Sequence, residues 1–415
     1  MKGPKLAVVA WRNLWRQKRR TLLTLSSIVF GGFLAVLFTA LQDRSFADFI
    51  DTAARLGGGH VTLQHPEYLD TPTLTRTVQG TGELRAQVAQ DKDVARVVDR
   101  ITGQIMLATA SDSFGAFFIA YDPELEDNNT LSFVESLTEG EIYKTSQDNG
   151  IILGKKLAQN LGVKIGSKVV YTVMDKQGEV VTGMRRLSGI INTGAPSLDA
   201  GLCLLPIDTV RDVLGYASDE STYVAVFLSD SRQSAAVAQR LVNAVASDVV
   251  ALTWDEVQPE LASYIAMKVG GARFMEIIIA ILVAAGIFNT LFVSVMERTR
   301  EFGIMIAIGY SPSQLFGMVM LESLWLGAVG VVAGAIVTIG PYLYLVHTGI
   351  DVSAMMGGAT TEVAGVGFDP TLRVGIFPDH LMIIVVAIVI ATLAAGLYPA
   401  WRAGNVVPVE SIRLV

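Results

Sequence analysis

Thr21-Leu-Leu-Thr-Leu-Ser-Ser-Ile-Val-Phe-Gly-Gly-Phe-Leu-Ala-Val-Leu-Phe-Thr-Ala-Leu41 decides the class of fold. These 21 residues carry no charge, and at about 1.5 Å per residue they cover a hydrocarbon core of roughly 30 Å. The run ends in Gln42-Asp-Arg44 and not in small residues, so it reads as a signal anchor, not a cleaved signal peptide. Three more apolar stretches, about Phe274 to Val295, Leu324 to Val346 and Leu381 to Tyr398, bring the expectation to four spans. Composition points the same way. Charged residues are 17% and hydrophobic residues 51% of the 415, with mean hydropathy +0.46, whereas soluble domains carry about 25% charged residues. Disorder, a coiled coil and a cytosolic enzyme are all poor fits. The single cysteine, Cys203, rules out an intrachain disulfide and any zinc site built from several thiolates.

Charge orients the spans. Lys2, Lys5, Arg12, Arg16, Lys18, Arg19 and Arg20 precede the first span with no acidic residue among them, which places that end in the cytoplasm. Residues 43–273 hold 30 acidic and 20 basic residues and are expected outside, since long segments cross largely regardless of charge. The expected organisation is a membrane protein of four transmembrane α-helices with a large α+β extracytoplasmic domain between the first and second. In numbers, an amphipathic cytoplasmic helix covers 1–20 and the spans cover 21–41, 274–296, 315–346 and 380–398. The extracytoplasmic domain takes 42–273, a coupling helix and turn 297–314, an outer loop 347–379 and a cytoplasmic tail 399–415. Both termini are cytoplasmic in this reading.

Within the large domain, the strand–helix–strand patterns near Gly59 to Gln90 and Thr222 to Thr253 read as one small domain. It is porter-like, covers about 44–122 and 216–270, and is interrupted by a β-rich lobe at about 123–215. No Gly-x-Ser-x-Gly elbow, His-Glu-x-x-His or phosphate-binding loop occurs in the chain. His60 and His65, near Glu67 and Asp70, lie five apart in an expected strand and so point to opposite faces, which argues against a metal site. No catalytic residue is assigned.

Small residues at four-residue spacing let spanning helices approach closely. Ser27, Gly31, Ala35 and Thr39 form such a stripe on the first span, Gly330 and Gly334 on the third, and Ala387, Ala391 and Ala395 on the fourth. The first stripe is expected to pack in a bundle or dimer. Phe30, Phe33, Leu34 and Leu37 are then left to face a cavity or cargo path.

The second span runs into Met296-Glu-Arg-Thr-Arg-Glu-Phe-Gly-Ile-Met-Ile-Ala-Ile-Gly309-Tyr-Ser-Pro-Ser-Gln314. Glu297 and Arg300 are helix neighbours and are expected to pair. Gly309 suits a left-handed helix end, and Ser311-Pro-Ser-Gln314 suits a capping box with proline at the first helical position. Phe302, Ile304, Met305, Ile306 and Ile308 would form an apolar patch that a partner should cover. The expected docking residues are Glu297, Arg298, Thr299, Arg300, Glu301, Phe302, Gly303 and Gly309. Glu322, near the start of the third span, is expected at the cytoplasmic edge or in the bundle interior.

Glu297-Arg-Thr-Arg-Glu-Phe-Gly-Ile304, Ile308-Gly309, Leu321-Glu-Ser323, Gly396-Leu-Tyr-Pro-Ala-Trp-Arg-Ala403 and Pro408-Val-Glu-Ser-Ile-Arg413 together resemble the MacB/LolC/FtsX family of ABC transporter permeases. Ala10-Trp-Arg-Asn-Leu-Trp-Arg16 is similar to that family's N-terminal amphipathic helix. The resemblance implies a dimer of this chain with itself or a homologous permease. It also implies a bacterial inner membrane and a separate ABC ATPase coupled through those docking residues, with ATP and magnesium held there and no cofactor on this chain, and a periplasmic carrier or adaptor as a further possible partner. Family members release lipoproteins, export through tripartite pumps, or activate an extracytoplasmic enzyme. The stretch Asp48 to Asp70, with Gly57-Gly-Gly59, is similar to the lipoprotein-releasing branch; MacB-like efflux and an FtsX-like scaffold are the alternatives. Asp175-Lys-Gln-Gly-Glu-Val-Val-Thr-Gly-Met184 departs from that branch's proline-bearing hook in being short and proline-free, and Met305 and Ile306 stand where many relatives carry a basic residue.

Overall fold

Apolar runs dominate both ends of the computed structural model, which describes residues 3–16, 18–242, 248–352, 362–363, 366–367 and 371–406. The Pro408 to Arg413 motif lies outside the described residues. Helix α1 (Gly3–Leu14) and the 39-residue α2 (Lys18–Leu56) open the chain. Then come β1 (Val61–Gln64), α3 (Thr81–Val88), β2 (Val94–Ala108), β3 (Ser113–Tyr121), β4 (Leu137–Gly140), β5 (Gly150–Gly154) and α4 (Lys155–Asn160). They are followed by β6 (Lys168–Met174), β7 (Val180–Ile191), α5 (Pro196–Asp199), β8 (Leu202–Pro206), α6 (Ile207–Leu214), β9 (Tyr223–Leu228), α7 (Ser234–Val242) and β10 (Val250–Thr253). The short α8 (Trp254–Val257) leads into α9 (Pro259–Glu297), α10 (Thr299–Ala307), α11 (Pro312–Thr348) and α12 (Pro378–Gly404).

Among the described residues four helices, α2, α9, α11 and α12, are long and apolar enough to cross a membrane. All four outrun their apolar stretches, two of them by 15 residues at one end. α2 continues 15 residues past Leu41, and α9 begins 15 residues before Phe274. Helical hydrogen bonding does not stop where hydropathy falls, so the expected edges at 41 and 274 mark the end of the apolar run and not of the helix.

The chain divides into two units, one of Met1–Ser45, Met267–Asp351 and Thr371–Val415, the other of Phe46–Ala266 with Val352–Pro370. In the second unit, β2 serves two lobes. Its first half pairs antiparallel with β9, and β9 continues to β1 and β10, with α3 and α7 contributing Val88, Val237 and Leu241 to a core with Val61, Leu63, Val224 and Val226. Its second half pairs with β3 and β6. From there β6 joins β7, β7 joins β5, β5 joins β8 and β8 joins β3, so the pairing closes a six-stranded ring. A closed ring has no free edges. Its interior holds Ile101, Leu107, Phe118, Ile151, Leu153, Val169 and Cys203. This corrects the expected lobe boundary, since β3 and the second half of β2 belong to the β-rich lobe, which therefore begins near residue 101 and not 123. Asp175 to Met184 is the turn and rising strand of the β6–β7 hairpin.

The end of α2 is held inside this unit by one buried charge. Arg100 is fully buried and donates to both Glu126 carboxylate oxygens at 2.9 and 2.6 Å, to Thr130 O at 2.7 Å and to Gly57 O. Burial alone would pull its guanidinium down, and Glu126 more than reverses that. His60, also buried, is structural. Its Nδ1 accepts from Leu228 N at 3.0 Å, so the ring proton sits on Nε2, which donates to Asp51 at 2.8 Å.

Candidate functional site

Glu297 closes α9, and Arg298, at φ −94 and ψ 5, interrupts the helix before α10 resumes at Thr299. The interruption turns the expected apolar patch partly inward. Phe302 is 0% exposed and packs with Ala10, Val295, Leu315, Met318, Val319, Ala400 and Ala403, and Gly303 is buried beside it. Phe302 is therefore a core residue, contrary to expectation. Apolar residues at 302, 304, 305, 306 and 308 cover both faces of about two helix turns, and the bundle takes the face of 302, 305 and 306. Ile304 and Ile308 remain on the other face, 47% and 72% exposed.

The charges are paired between elements, not along one helix as expected. Glu297 pairs with Arg20 of α2, and Arg300 is exposed. Glu301 takes Arg16 at 3.0 Å and Arg298 at 3.5 Å. The Arg298 guanidinium lies 5.1 Å from the Phe302 ring centroid and donates to both oxygens of Glu322 on α11 at 2.9 and 3.1 Å. Asn13 of α1 donates to the same carboxylate at 3.0 Å. A carboxylate in an apolar bundle costs several kcal/mol unless it is paired, so Glu322 and Arg298 require one another. Thr299 turns its hydroxyl back to Met296 O at 2.6 Å. A polar cavity of about 80 Å³ lies against this network, lined by Asn13, Arg16, Arg20, Arg298, Glu301 and Glu322 with Thr24, Thr290 and Ser294.

Beyond α10 the chain reverses at Gly309, whose φ of 102 suits glycine. Ser311 Oγ then accepts from Gln314 N at 3.3 Å while Gln314 Oε1 accepts from Ser311 N at 2.9 Å, with Pro312 at the first helical position of α11. α10 is thus fixed at both ends: by the Arg298 network before it and by a capped helix start after it. Asn13, Arg16 and Arg20 were not singled out from the sequence. The signal that points to Asn13 is the acid at 322, which obliges some neighbour to be basic or amide, and the acids at 297 and 301 are the corresponding signals for Arg20 and Arg16.

On the first span, a Cβ at Gly31 would collide with Val283 of α9, and Thr39 Oγ1 donates to Glu276 of α9 at 3.0 Å. Part of the small stripe is therefore occupied by the second span of the same chain. Ser27 and Ala35 are half-buried, as are Phe33 and Leu37, while Phe30 and Leu34 are exposed. On the fourth span Ala395 is buried as expected, packing with Leu25, Ile28 and Leu326, while Ala391 is half-buried and Ala387 exposed; the packed residues also include Thr392, Gly396 and Ala400, and a Cβ at Gly396 would press on Ser323 of α11.

Two family models match the chain: the MacB-like periplasmic core domain over residues 21–244 and the FtsX-like permease C-terminal over residues 273–408. The lipoprotein-releasing system transmembrane protein LolC of Xylella fastidiosa is 26% identical over 294 residues, 68% of this chain and 67% of that protein. The pyoverdine export ATP-binding/permease protein PvdT of Pseudomonas entomophila is 23% identical over 398 residues, 88% of this chain and 57% of that protein. Among solved structures, the periplasmic region of MacB from Actinobacillus actinomycetemcomitans aligns with 51% of this chain and 96% of its own, at 13% identity and a TM-score of 0.36.

Proposed function

This chain belongs to the MacB/LolC/FtsX-like family of ABC transporter permeases, and from that premise we propose that it couples ATP hydrolysis on a separate subunit to release or export of lipoproteins or other amphiphiles. ATP and magnesium are then held by the ATPase, and this chain supplies the membrane path and the moving domain. The observation that carries the reading is α10: its inward face is anchored through Phe302 and Arg298 while Ile304 and Ile308 stay uncovered on the other. An apolar edge on a short, braced helix suits a cleft in a partner, because the brace passes displacement on rather than absorbing it. Arg298 leads that displacement to α11 through Glu322, Glu297 to α2 through Arg20, and Glu301 to the α1 end through Arg16. In this reading α10 and both termini are cytoplasmic, the membrane is a bacterial inner membrane, and the domain between the first two spans is periplasmic. The match to LolC favours a lipid-linked cargo over the other family activities.

The test is reconstitution of the chain with its ATPase in proteoliposomes that carry a triacylated lipopeptide. ATP-dependent loss of lipopeptide from the vesicles supports the reading. ATP hydrolysis without release, accompanied by activation of an extracytoplasmic enzyme, would replace it with the scaffold function.

A further inference from the structure

Arg12, Arg16, Lys18, Arg19 and Arg20 stand at the corner where α1 passes into α2. Arg16 and Arg20 are taken by Glu301 and Glu297, whereas Arg12, Lys18 and Arg19 are exposed and have no acidic partner among the described residues. We infer that this corner binds anionic phospholipids of the leaflet at the Lys18 end of the first span and selects them by headgroup charge. The inference is independent of which cargo the chain moves and of whether α10 docks an ATPase.

Depth is the first argument. Lys18 and Arg19 open α2, and its uncharged run begins at Thr21, roughly 3–5 Å further along the helix axis. The cations therefore fall in the polar layer, roughly 5–8 Å deep, that borders the hydrocarbon core. Arg19 also shares the exposed face of α2 with Leu22, Leu23 and Phe30, while Thr21, Leu25 and Ile28 are buried on the other side. A phosphate on Arg19 thus has its acyl chain alongside Leu22, Leu23 and Phe30.

The aromatic rings are the second argument. Trp11 meets Trp15 edge-on at 5.9 Å between centroids and Trp325 of α11 at 5.1 Å, and Trp11 and Trp15 remain exposed. Tryptophan concentrates where hydrocarbon meets headgroups. Ala10, Asn13 and Leu14 hold α1 against the bundle, which leaves Val8, Trp11 and Arg12 on the outward face of α1, with Trp15 just beyond its end. Apolar surface beside a cation is the composition of a helix lying at a lipid interface.

Charge decides the kind of lipid. Every phospholipid supplies a phosphate, but a zwitterionic headgroup brings its own cation, which Arg12, Lys18 and Arg19 repel. An anionic headgroup leaves net negative charge to neutralise them, and each basic residue at an anionic surface strengthens association about fivefold. An acidic protein would meet the cations but not Leu22 and Leu23, which belong to a spanning helix.

The experiment uses the full chain with Trp254→Phe and Trp401→Phe, which leaves only the cluster of Trp11, Trp15 and Trp325 among its five tryptophans. It is reconstituted in vesicles of phosphatidylcholine and phosphatidylglycerol in fixed proportion, with bromine on the acyl chains of one lipid or the other. Quenching of tryptophan fluorescence then reports which lipid lies against the rings. Occupancy by phosphatidylglycerol, relative to its share of the bilayer, should exceed that of phosphatidylcholine by about fivefold and should fall as salt rises. Replacing Arg12, Lys18 and Arg19 together by glutamine should bring the ratio close to one while both lipids still quench. A ratio near one in the chain with its cations intact overturns the inference, however the glutamine variant behaves. An unchanged preference in that variant overturns it too, because other groups would then select the lipid. Rings quenched by neither lipid would show that protein covers this face, which also overturns it.

Discussion

Replacing Arg298 by methionine leaves the Glu322 carboxylate with one of its three hydrogen bonds, that from the Asn13 amide. Breaking a buried ion pair from one side costs about 3–5 kcal/mol. Interhelical polar contacts in membranes average only about 0.6 kcal/mol and reach about 1.7, so two lost bonds alone account for roughly 1–3 kcal/mol. The polar cavity beside Glu322 gives the orphaned charge some relief, which places the expected loss near the lower end of the first range, about 3 kcal/mol. Glu322→Met should cost somewhat less, about 2 kcal/mol, because Arg298 keeps Glu301 at 3.5 Å. The double variant should recover most of the loss, because a well-packed apolar pair replaces a buried ion pair at little cost. The assay is unfolding of the four proteins in mixed micelles, read as a double-mutant cycle. We expect a coupling energy of at least about 3 kcal/mol, whereas additivity within about 0.5 kcal/mol would refute the interdependence of the two residues.

Gly31→Leu should destabilise the bundle by roughly 1–3 kcal/mol through overpacking against Val283, and Val283→Ala should restore part of the loss; failure of that rescue would remove the α2–α9 contact as the cause. Arg100→Met should cost about 3–5 kcal/mol in unfolding of the domain between the first two spans, and a change below 1 kcal/mol would show that Glu126 does not depend on it. Burial pushes the Glu220 carboxyl up, but Lys176, Thr77 and Ala217 N outweigh burial and hold it below the ordinary glutamate range. A depressed carboxyl contributes stability above its unfolded value and loses it as pH falls through the folded one. The stability gap between the wild-type chain and Glu220→Gln should therefore shrink on acidification, and a gap that stays constant with pH would contradict this.

Much of the membrane region was legible because its determinants are local. The apolar runs from Thr21, Phe274, Leu324 and Leu381 lie within the four long apolar helices, and Ser311 and Gln314 form the capping box their spacing implied. The lobe boundary was not legible, because β3 finds β8 some 80 residues further along the chain and nothing in either strand names its partner. Phe302 was misplaced for a related reason: an apolar residue on a short helix is equally suited to a core and to a docking face, and only the positions of Leu315, Met318 and Ala400 decide. The Arg298–Glu322 pair spans 24 residues. One member, Glu322, announced itself as an acid inside a span, but its partner lay among several arginines that periodicity alone could not rank.

The ATPase contact at α10 is tested most directly by Ile308→Asp, which alters the most exposed apolar residue of that segment without touching Phe302 or the Arg298 network. The chain is co-expressed with its ATPase, purified through a tag on the permease, and compared with the wild type for bound ATPase and for thermal unfolding. We expect the variant to unfold like the wild type and to lose the ATPase. A variant that retains a full complement of ATPase, with ATP hydrolysis still responsive to the permease, would contradict docking at α10.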